Sequence, residues 1–125
     1  MIILITKNSL VKDIQDQFSA YFPFLRIEFL KKSLDEKVIL KKEYAIANDF
    51  FKRISSENNE GELHLDLKQT VAGLERDFKE YFGVSINIFR RSGNVWIETI
   101  LTDDWTLERQ NKEGEQITSH FSKLP

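Results

Sequence analysis

Hydrophobic positions recur in the same order in the first and second halves of this chain. Each half carries large apolar residues at helical spacing, with a short apolar run before them and an alternating run ending in basic residues after them. The two sets are Val11, Ile14, Phe18, Tyr21 and Phe22, and Val71, Leu74, Phe78, Tyr81 and Phe82. This pattern predicts a duplicated strand-helix-strand unit, with repeats at residues 1–32 and 61–92.

The first repeat begins with a continuous apolar run at residues 2–6, which is typical of a strand buried on both faces. Asn8 or Ser9 then provides a side chain able to cap the following helix. Pro23 ends that helix, because proline cannot continue the hydrogen-bond pattern. Apolar and polar residues alternate over 25–30, which predicts a strand with one buried face.

The segment between the repeats predicts further helix. Ser33 and Glu36 have the spacing of a capping box, and apolar residues at helical spacing predict a helix over 43–55. Residues 38–40 fit either the first turn of that helix or a short strand. The polar run 55–61 predicts a linker between the two halves.

The second repeat predicts a strand at 62–67, a helix at about 70–82 and a strand at 84–91. Thr70 is the expected N-cap of the helix. Gly83 stands where a helix commonly ends on a residue with left-handed backbone geometry.

A hairpin turn at residues 93–94 leads into a final predicted strand at 95–101. This strand is apolar on both faces, so both faces should be covered, either by helices or by another subunit. Trp96 and Ile100 lie on its second face and are the candidates for a dimer interface or for packing under the C-terminal segment.

The C-terminal segment lacks large apolar residues between 108 and 116, which predicts an exposed helix or loop. Ile117, Phe121 and Leu124 form a weak apolar stripe beyond it.

These elements favour one α+β domain over residues 1–125, arranged as a ferredoxin-like two-layer sandwich. In that arrangement the four repeat strands share one sheet, the hairpin strand extends it and a helix is inserted between the halves. The alternative is a β-grasp fold, because the run from Thr70 to Leu74 resembles the helix entry of ubiquitin-like domains. Neither resemblance implies a particular function.

The composition excludes several classes of site. The 125 residues contain no cysteine, which excludes disulfides, thiolate zinc sites, iron–sulfur clusters and cysteine nucleophiles. The opening apolar run is too short for a signal-peptide core, and no run approaches the ~20 residues of a membrane span. We therefore expect a cytoplasmic protein without a membrane association.

Two motifs involve basic or metal-ligating side chains. Glu62, His64 and Asp66 alternate along a predicted strand and share one face, but an ordinary hydrated strand face has the same pattern. Basic pairs end both repeats, at 31–32 and at Arg90 and Arg91, and a third pair stands at 41–42. They raise the alternative of an RNA-binding sheet, which the net charge of -2 disfavours.

The acidic sequence around Asp103, Asp104 and Trp105 is the preferred candidate if the chain binds a small ligand or acts as an enzyme. The aspartates could hold a cation, Trp105 could stack against a ligand, and Glu98 could contribute a further carboxylate. In the structural alternative, one of the two aspartates caps the next helix and the side chain of Trp105 packs at the end of the sandwich.

No motif for nucleophilic catalysis, phosphate binding or metal binding accompanies these residues. The sequence therefore predicts a small non-catalytic interaction or regulatory module without a cofactor, which binds a protein partner or associates with itself. The ligand-binding or enzymatic corner and the RNA-binding sheet are the two alternatives.

Overall fold

The structure is a computed structural model that describes residues 1–31 and 43–123. Over these residues it is a small α+β domain with two antiparallel sheets and four α-helices. The strands are β1 (Ile2–Ile5), β2 (Leu25–Phe29), β3 (Gly61–His64), β4 (Ile86–Ser92) and β5 (Val95–Glu98). The helices are α1 (Val11–Tyr21), α2 (Phe51–Ile54), α3 (Val71–Asp77), which continues as a π-helical turn (Phe78–Phe82), and α4 (Leu107–Ser122).

The strands pair with their counterparts in the other half of the chain. β1 pairs with β3, and β2 pairs with β4, which also pairs with β5; every pairing is antiparallel. The predicted single sheet holding all four repeat strands is therefore wrong for the described residues. Because β1 and β2 belong to different sheets, α1 connects the two sheets instead of making a crossover within one.

The core contains four of the five apolar residues predicted for each repeat helix, and these eight are confirmed as buried. The exceptions are Tyr21 and Tyr81, which are 40% and 50% exposed because their hydroxyls reach the carbonyls of Ile2 and Glu60 at the surface. The ring of Phe29 on β2 meets those of Phe51 and Phe78 edge to face, with centroids 5.4 and 5.6 Å apart. Phe51 also meets Phe82 at 5.5 Å. This aromatic cluster joins the segment between the repeats to both halves of the fold.

The predicted cap of the first helix is wrong. Neither Asn8 nor Ser9 caps α1, which begins after Leu10. The N–H groups of its first two residues donate instead to the main-chain carbonyls of Asp49 and Ala47. A distant part of the chain thus satisfies groups that a side chain normally caps.

The helix predicted over 43–55 is wrong except for its last turn, Phe51–Ile54. Residues 43–45 instead lie along β2, where the N–H of Ala45 donates to the carbonyl of Phe29, 2.8 Å away, and residues 47–49 form a turn. Tyr44 forms an isolated bridge with Leu30. The predictions on Ser33 and Glu36, on 38–40 and on the 41–42 basic pair lie outside the described residues.

The second repeat helix begins and ends as predicted. The Thr70 hydroxyl accepts a hydrogen bond from the N–H of Gly73, and Gly83 ends the helical segment at φ 65°. The predicted linker packs against this end, because the N–H groups of Ser56 and Glu57 donate to the carbonyls of Gly83 and Phe82.

The C-terminal segment is a helix, and it is less exposed than predicted. Gln110 and Gly114 of α4 are buried against β4. A Cβ at Gly114 would lie 3.0 Å from Phe24, so the missing side chain permits the close approach. Within residues 1–31 and 43–123, no helix combines the length and the apolar character needed to cross a bilayer.

Candidate functional site

The strand predicted over 95–101 is shorter than expected and carries a surface of exposed apolar side chains. β5 ends at Glu98, and a 3₁₀ turn follows at Ile100–Thr102. The exposed set, called here the β5 surface, consists of Val95, Trp96, Ile97, Ile100 and Leu101. Trp96 is 38% exposed and Leu101 96%. The described residues of this chain therefore do not provide the cover expected on both faces of this strand.

Hydrogen bonds to β4 and from α4 fix the segment that carries the β5 surface. Thr99 is buried, and both its N–H and its hydroxyl donate to the carbonyl of Ile88 on β4. The side-chain amide of Gln110 on α4 donates to the carbonyl of Thr102, 2.8 Å away. Because these bonds hold the end of β5, its apolar side chains are presented on an ordered support.

The outer edge of β5 is also unpaired along its backbone as far as residues 1–31 and 43–123 are concerned. Alternate residues of an antiparallel strand direct their backbone groups towards the neighbouring strand, and Thr99 bonds to Ile88 of β4. Val95 and Ile97 therefore also bond to β4. The N–H and C=O groups of Trp96 and Glu98 point outward, away from β4. Within the described part of the chain, no residue bonds to these outward groups. Such an edge is a template for another strand.

The edges of β1 and β2 are protected by side chains of α1. The hydroxyl of Tyr21 donates to the carbonyl of Ile2, and the amide of Gln17 accepts from the N–H of Leu4 and donates to its carbonyl. On β2, the side chain of Gln15 donates to the outward carbonyl of Ile27. These contacts occupy the backbone groups that a further strand would need.

The outer edge of β3 is protected by charge. Glu62 and His64 are exposed beside it, with His64 Nε2 3.6 Å from a Glu62 carboxylate oxygen. Asp66 does not join them, because its carboxylate accepts from the N–H of Lys68. Among the described residues no group of three His, Cys, Asp or Glu side chains is placed to hold a metal ion.

A groove of about 510 Å³ lies on the outer face of the three-stranded sheet, next to the β5 surface. Its walls include the rings of Tyr44, Phe89 and Trp96, with Tyr44 edge-on to Phe89 at 5.9 Å. Its cationic group, Arg26, is already paired with the carboxylate of Glu28, 2.5 Å away. The groove is therefore aromatic and close to neutral.

The predicted corner at Asp103, Asp104 and Trp105 lies against the start of α3. The main-chain carbonyls of Asp103 and Trp105 accept from the first N–H groups of that helix, at 2.9 and 3.1 Å. The indole of Trp105 is covered by the guanidinium of Arg109 at 3.7 Å and approached by that of Arg90 at 5.4 Å. The ring thus stacks on groups of the chain itself.

The same hydrogen bonds occur at the start of α1. There the carbonyls of Ala47 and Asp49 accept from the first two helix N–H groups, with Phe50 and Leu10 bridged next to them. In the second half the corresponding bridge joins Thr70 and Thr106. The 47–49 segment makes these bonds without an acidic pair or a tryptophan, so the backbone role of the 103–105 corner does not depend on those side chains.

The two arginines at the end of β4 do not form one basic patch, because neighbouring strand residues face opposite ways. Arg90 faces α4 and donates to the side-chain carbonyl of Gln110, 2.9 Å away. Arg91 lies opposite Trp96 on the outer face. Lys31 is paired with Asp49 at 3.7 Å, and Lys32 lies outside the described residues.

Lysines hold the pKa of the Glu108 carboxyl, at the start of α4, below its usual range. Lys68 is the larger cause and Lys112 the smaller, each with its ammonium 3.4 Å from the carboxylate. Because this pKa is lower in the folded state, the ionised carboxylate stabilises the fold at pH values above the ordinary carboxyl pKa of about 4.3. This stabilisation is lost as the pH falls through the pKa of Glu108 in the folded state.

We expect Lys68→Gln to raise the pKa of Glu108 more than Lys112→Gln does. The measurement is an NMR titration of the carboxyl carbon in the wild type and both variants. A larger rise in Lys112→Gln would contradict the stronger coupling to Lys68.

Two groove residues, Tyr44 and Phe89, were not among the sequence candidates. Tyr44 lies within the helix predicted over 43–55, and that prediction does not bring its phenol near Asn87 and Glu98, with which it hydrogen bonds at 2.7 and 3.4 Å. Phe89 directly precedes the basic pair Arg90 and Arg91 and belongs to no recognisable motif. The period-two alternation of β4 was the one available signal, since it puts Phe89 on the face opposite Ile88.

Comparison with known proteins gave no relationship: no protein family, no curated protein and no solved structure matches this chain. The interpretation of its function therefore depends on the geometry described above.

Proposed function

We propose that this chain is a small non-catalytic interaction module of the cytoplasm that binds another protein chain through the β5 surface. One observation carries the proposal: β5 is apolar on both faces, its side chains are exposed, and the described residues leave its sheet edge open. Exposed apolar side chains that are contiguous, rather than scattered, mark interaction sites.

The charge distribution favours a protein partner over RNA. On the outer face Arg26 is neutralised by Glu28, and Arg91 donates from Nε to the carbonyl of Gly93, in a chain with a net charge of -2. Binding of nucleic acid draws most of its affinity from neutralising phosphates, which needs an excess of cations. The aromatic rings of Phe89 and Trp96 are present, but that excess is not.

A small ligand in the groove is the second candidate. The groove volume of about 510 Å³ lies within the usual ~300–1,000 Å³ of ligand sites, and aromatic rings line it. The Asp103 and Asp104 corner has less support, because the backbone of this segment caps α3 and Trp105 is stacked on arginines.

We further propose that the chain is an internal duplication of a strand-helix-strand unit. The support is the repeated strand-helix-strand order, together with the antiparallel pairing of β1 with β3 and of β2 with β4. Equivalent strands related by a local two-fold axis pair in this way. The matching capping segments at 47–49 and 103–105 extend the duplicated unit beyond 1–32 and 61–92.

A thermal-shift panel tests the function. It contains divalent metals, nucleotides, small phosphates, amino acids and short RNAs at low salt. A ligand at a hundred times its Kd adds about 2.7 kcal/mol and shifts the melting temperature by several degrees. We expect no such shift. A thermal shift that disappears in Asp103→Asn would overturn the proposal in favour of ligand binding at the acidic corner. A shift that disappears in Arg91→Ala would overturn it in favour of RNA binding, and a shift that disappears in Phe89→Ala would overturn it in favour of a ligand in the groove.

We expect Trp96→Asp to fold, with a loss of less than about 1.5 kcal/mol in the free energy of unfolding, because Trp96 is 38% exposed at a sheet edge. The matched control is Ile88→Asp on the neighbouring strand, which buries an unpaired charge and should unfold the domain. Urea denaturation measures both. Unfolding of Trp96→Asp to the same extent would show that Trp96 belongs to the core.

A further inference from the structure

We infer that the partner of the β5 surface is a second copy of this chain, whose β5 pairs antiparallel with the first across a two-fold axis. The inference rests on the proposed function and specifies the partner. The two three-stranded sheets would then form one continuous six-stranded sheet, with order β2-β4-β5 followed by β5-β4-β2 of the second copy.

An added strand covers this surface better than a partner docked on one face. Trp96 lies on the outer face of the sheet, whereas Val95 and Ile97 lie on the face shared with α4. The side chains of both faces border the same free edge. A partner docked on either face would leave the other set exposed, but a strand paired along the edge has residues on both faces and covers both sets at once.

The outward backbone groups select one register for a symmetric pair. Only Trp96 and Glu98 of β5 direct their N–H and C=O groups outward. Placing Trp96 opposite Glu98 of the second copy uses all of these groups in four hydrogen bonds, with the two-fold axis at Ile97. The two Ile97 side chains then meet as a close pair between hydrogen-bonded pairs.

The charges of the edge are compatible with pairing between copies. Glu98 is the only charged residue of β5. In this register each Glu98 faces Trp96 of the second copy, so the two carboxylates are not directly opposite one another. A register centred on Glu98 would place like charges together and would form fewer hydrogen bonds.

The exposed area corresponds to a weak dimer. The exposed fractions of the β5 surface amount to roughly 500 Å² per chain, below the ~800 Å² that each partner buries in a standard interface. An interface of this size is typical of an association that appears only as the protein concentration rises. The edges of β1 and β2 are occupied and that of β3 is charged, so β5 is the edge that the described residues leave open to a second copy.

The test compares the wild type with Glu98→Pro and Glu98→Ala by sedimentation velocity over a range of protein concentrations. Proline removes the outward N–H of residue 98, whereas the N–H groups that bond to β4 belong to Val95 and Ile97. Alanine removes the same carboxylate, including its contact with Tyr44 at 3.4 Å, and keeps the N–H. We expect the wild type and Glu98→Ala to dimerise with increasing concentration, and Glu98→Pro to raise the dimer Kd by at least about tenfold.

Hydrogen exchange on the wild-type chain provides a second measurement if proline unfolds the hairpin. Amides of Trp96 and Glu98 should become protected as the concentration rises, while the amide of Ile97 is protected throughout. A wild type that stays monomeric, equal dimerisation of Glu98→Pro and Glu98→Ala, or no change at the two amides would overturn the inference. The proposed function is tested separately by the folding of Trp96→Asp and by the thermal-shift panel. If Trp96→Asp folds and no ligand shifts the melting temperature, failure of the dimer test leaves the proposed function in place, with a different protein as the partner.

Discussion

Replacement of Phe51 by alanine is expected to lower the free energy of unfolding by about 3–5 kcal/mol. Phe51 is 2% exposed and meets the rings of Phe29 and Phe82 edge to face. Its helix α2 has four residues, too few to be stable without tertiary packing. The loss would therefore combine the cost of a cavity with weaker attachment of the 43–54 segment, which caps α1.

The adjacent Phe50 is the matched control, because it has the same side chain and is 37% exposed. It lies beneath Lys52 and Arg53, at 5.5 and 5.6 Å, outside the aromatic cluster. We expect Phe50→Ala to cost less than about 1 kcal/mol. Urea denaturation of both variants measures the difference, and equal losses would contradict the placement of Phe51 in the core.

Gly83→Ala is expected to lower the free energy of unfolding by at least about 2 kcal/mol. Gly83 has φ 65° and ψ 35°, a left-handed conformation that costs other residues about 1–2 kcal/mol. The added Cβ would also lie 1.8 Å from the hydroxyl oxygen of Ser56, so the segment after α2 would have to move. Both effects act where the predicted linker packs on the end of the second repeat helix.

Two further variants separate these effects. Gly73 lies within α3, where a Cβ would meet Thr70 Oγ1 at 3.2 Å, and we expect Gly73→Ala to change stability by less than about 1 kcal/mol. Adding Ser56→Gly to Gly83→Ala removes the steric conflict with the Ser56 side chain and keeps the backbone strain. Thermal unfolding of all three gives the comparison. A Gly83→Ala protein as stable as the wild type would show that the left-handed geometry is not maintained.

The β5 surface was partly predictable from the sequence. The run 95–101 is apolar on both faces, and this alternation identified Trp96 and Ile100 as interface candidates. The pattern could not tell whether helices of the same chain cover the strand, because cover depends on where α4 packs. Gly114 brings α4 against β4, and β5 is left at the edge.

The capping segments could not be predicted from the sequence. The spacing of apolar residues over 43–55 favours a helix, but the carbonyls of Ala47 and Asp49 bond to α1 and the N–H of Ala45 bonds to β2. These bonds join residues that are far apart in the chain, and they outweigh a local preference of a few tenths of a kcal/mol per residue. The acidic residues of the 103–105 segment likewise suggest a ligand site. The backbone of this segment instead caps α3 in the way that the backbone of 47–49 caps α1.

The sequence by itself determined the repeated apolar stripes, the Thr70 cap, the left-handed Gly83 and the turn at Gly93, which has φ 66°. Each of these depends on residues within a turn or two of helix or hairpin, where side-chain type acts directly on the backbone. The tertiary structure alone decided which strands pair, how the first helix is capped and which strand edge the described part of the chain leaves open. Those outcomes depend on hydrogen bonds and packing between distant segments, for which local spacing has no signal.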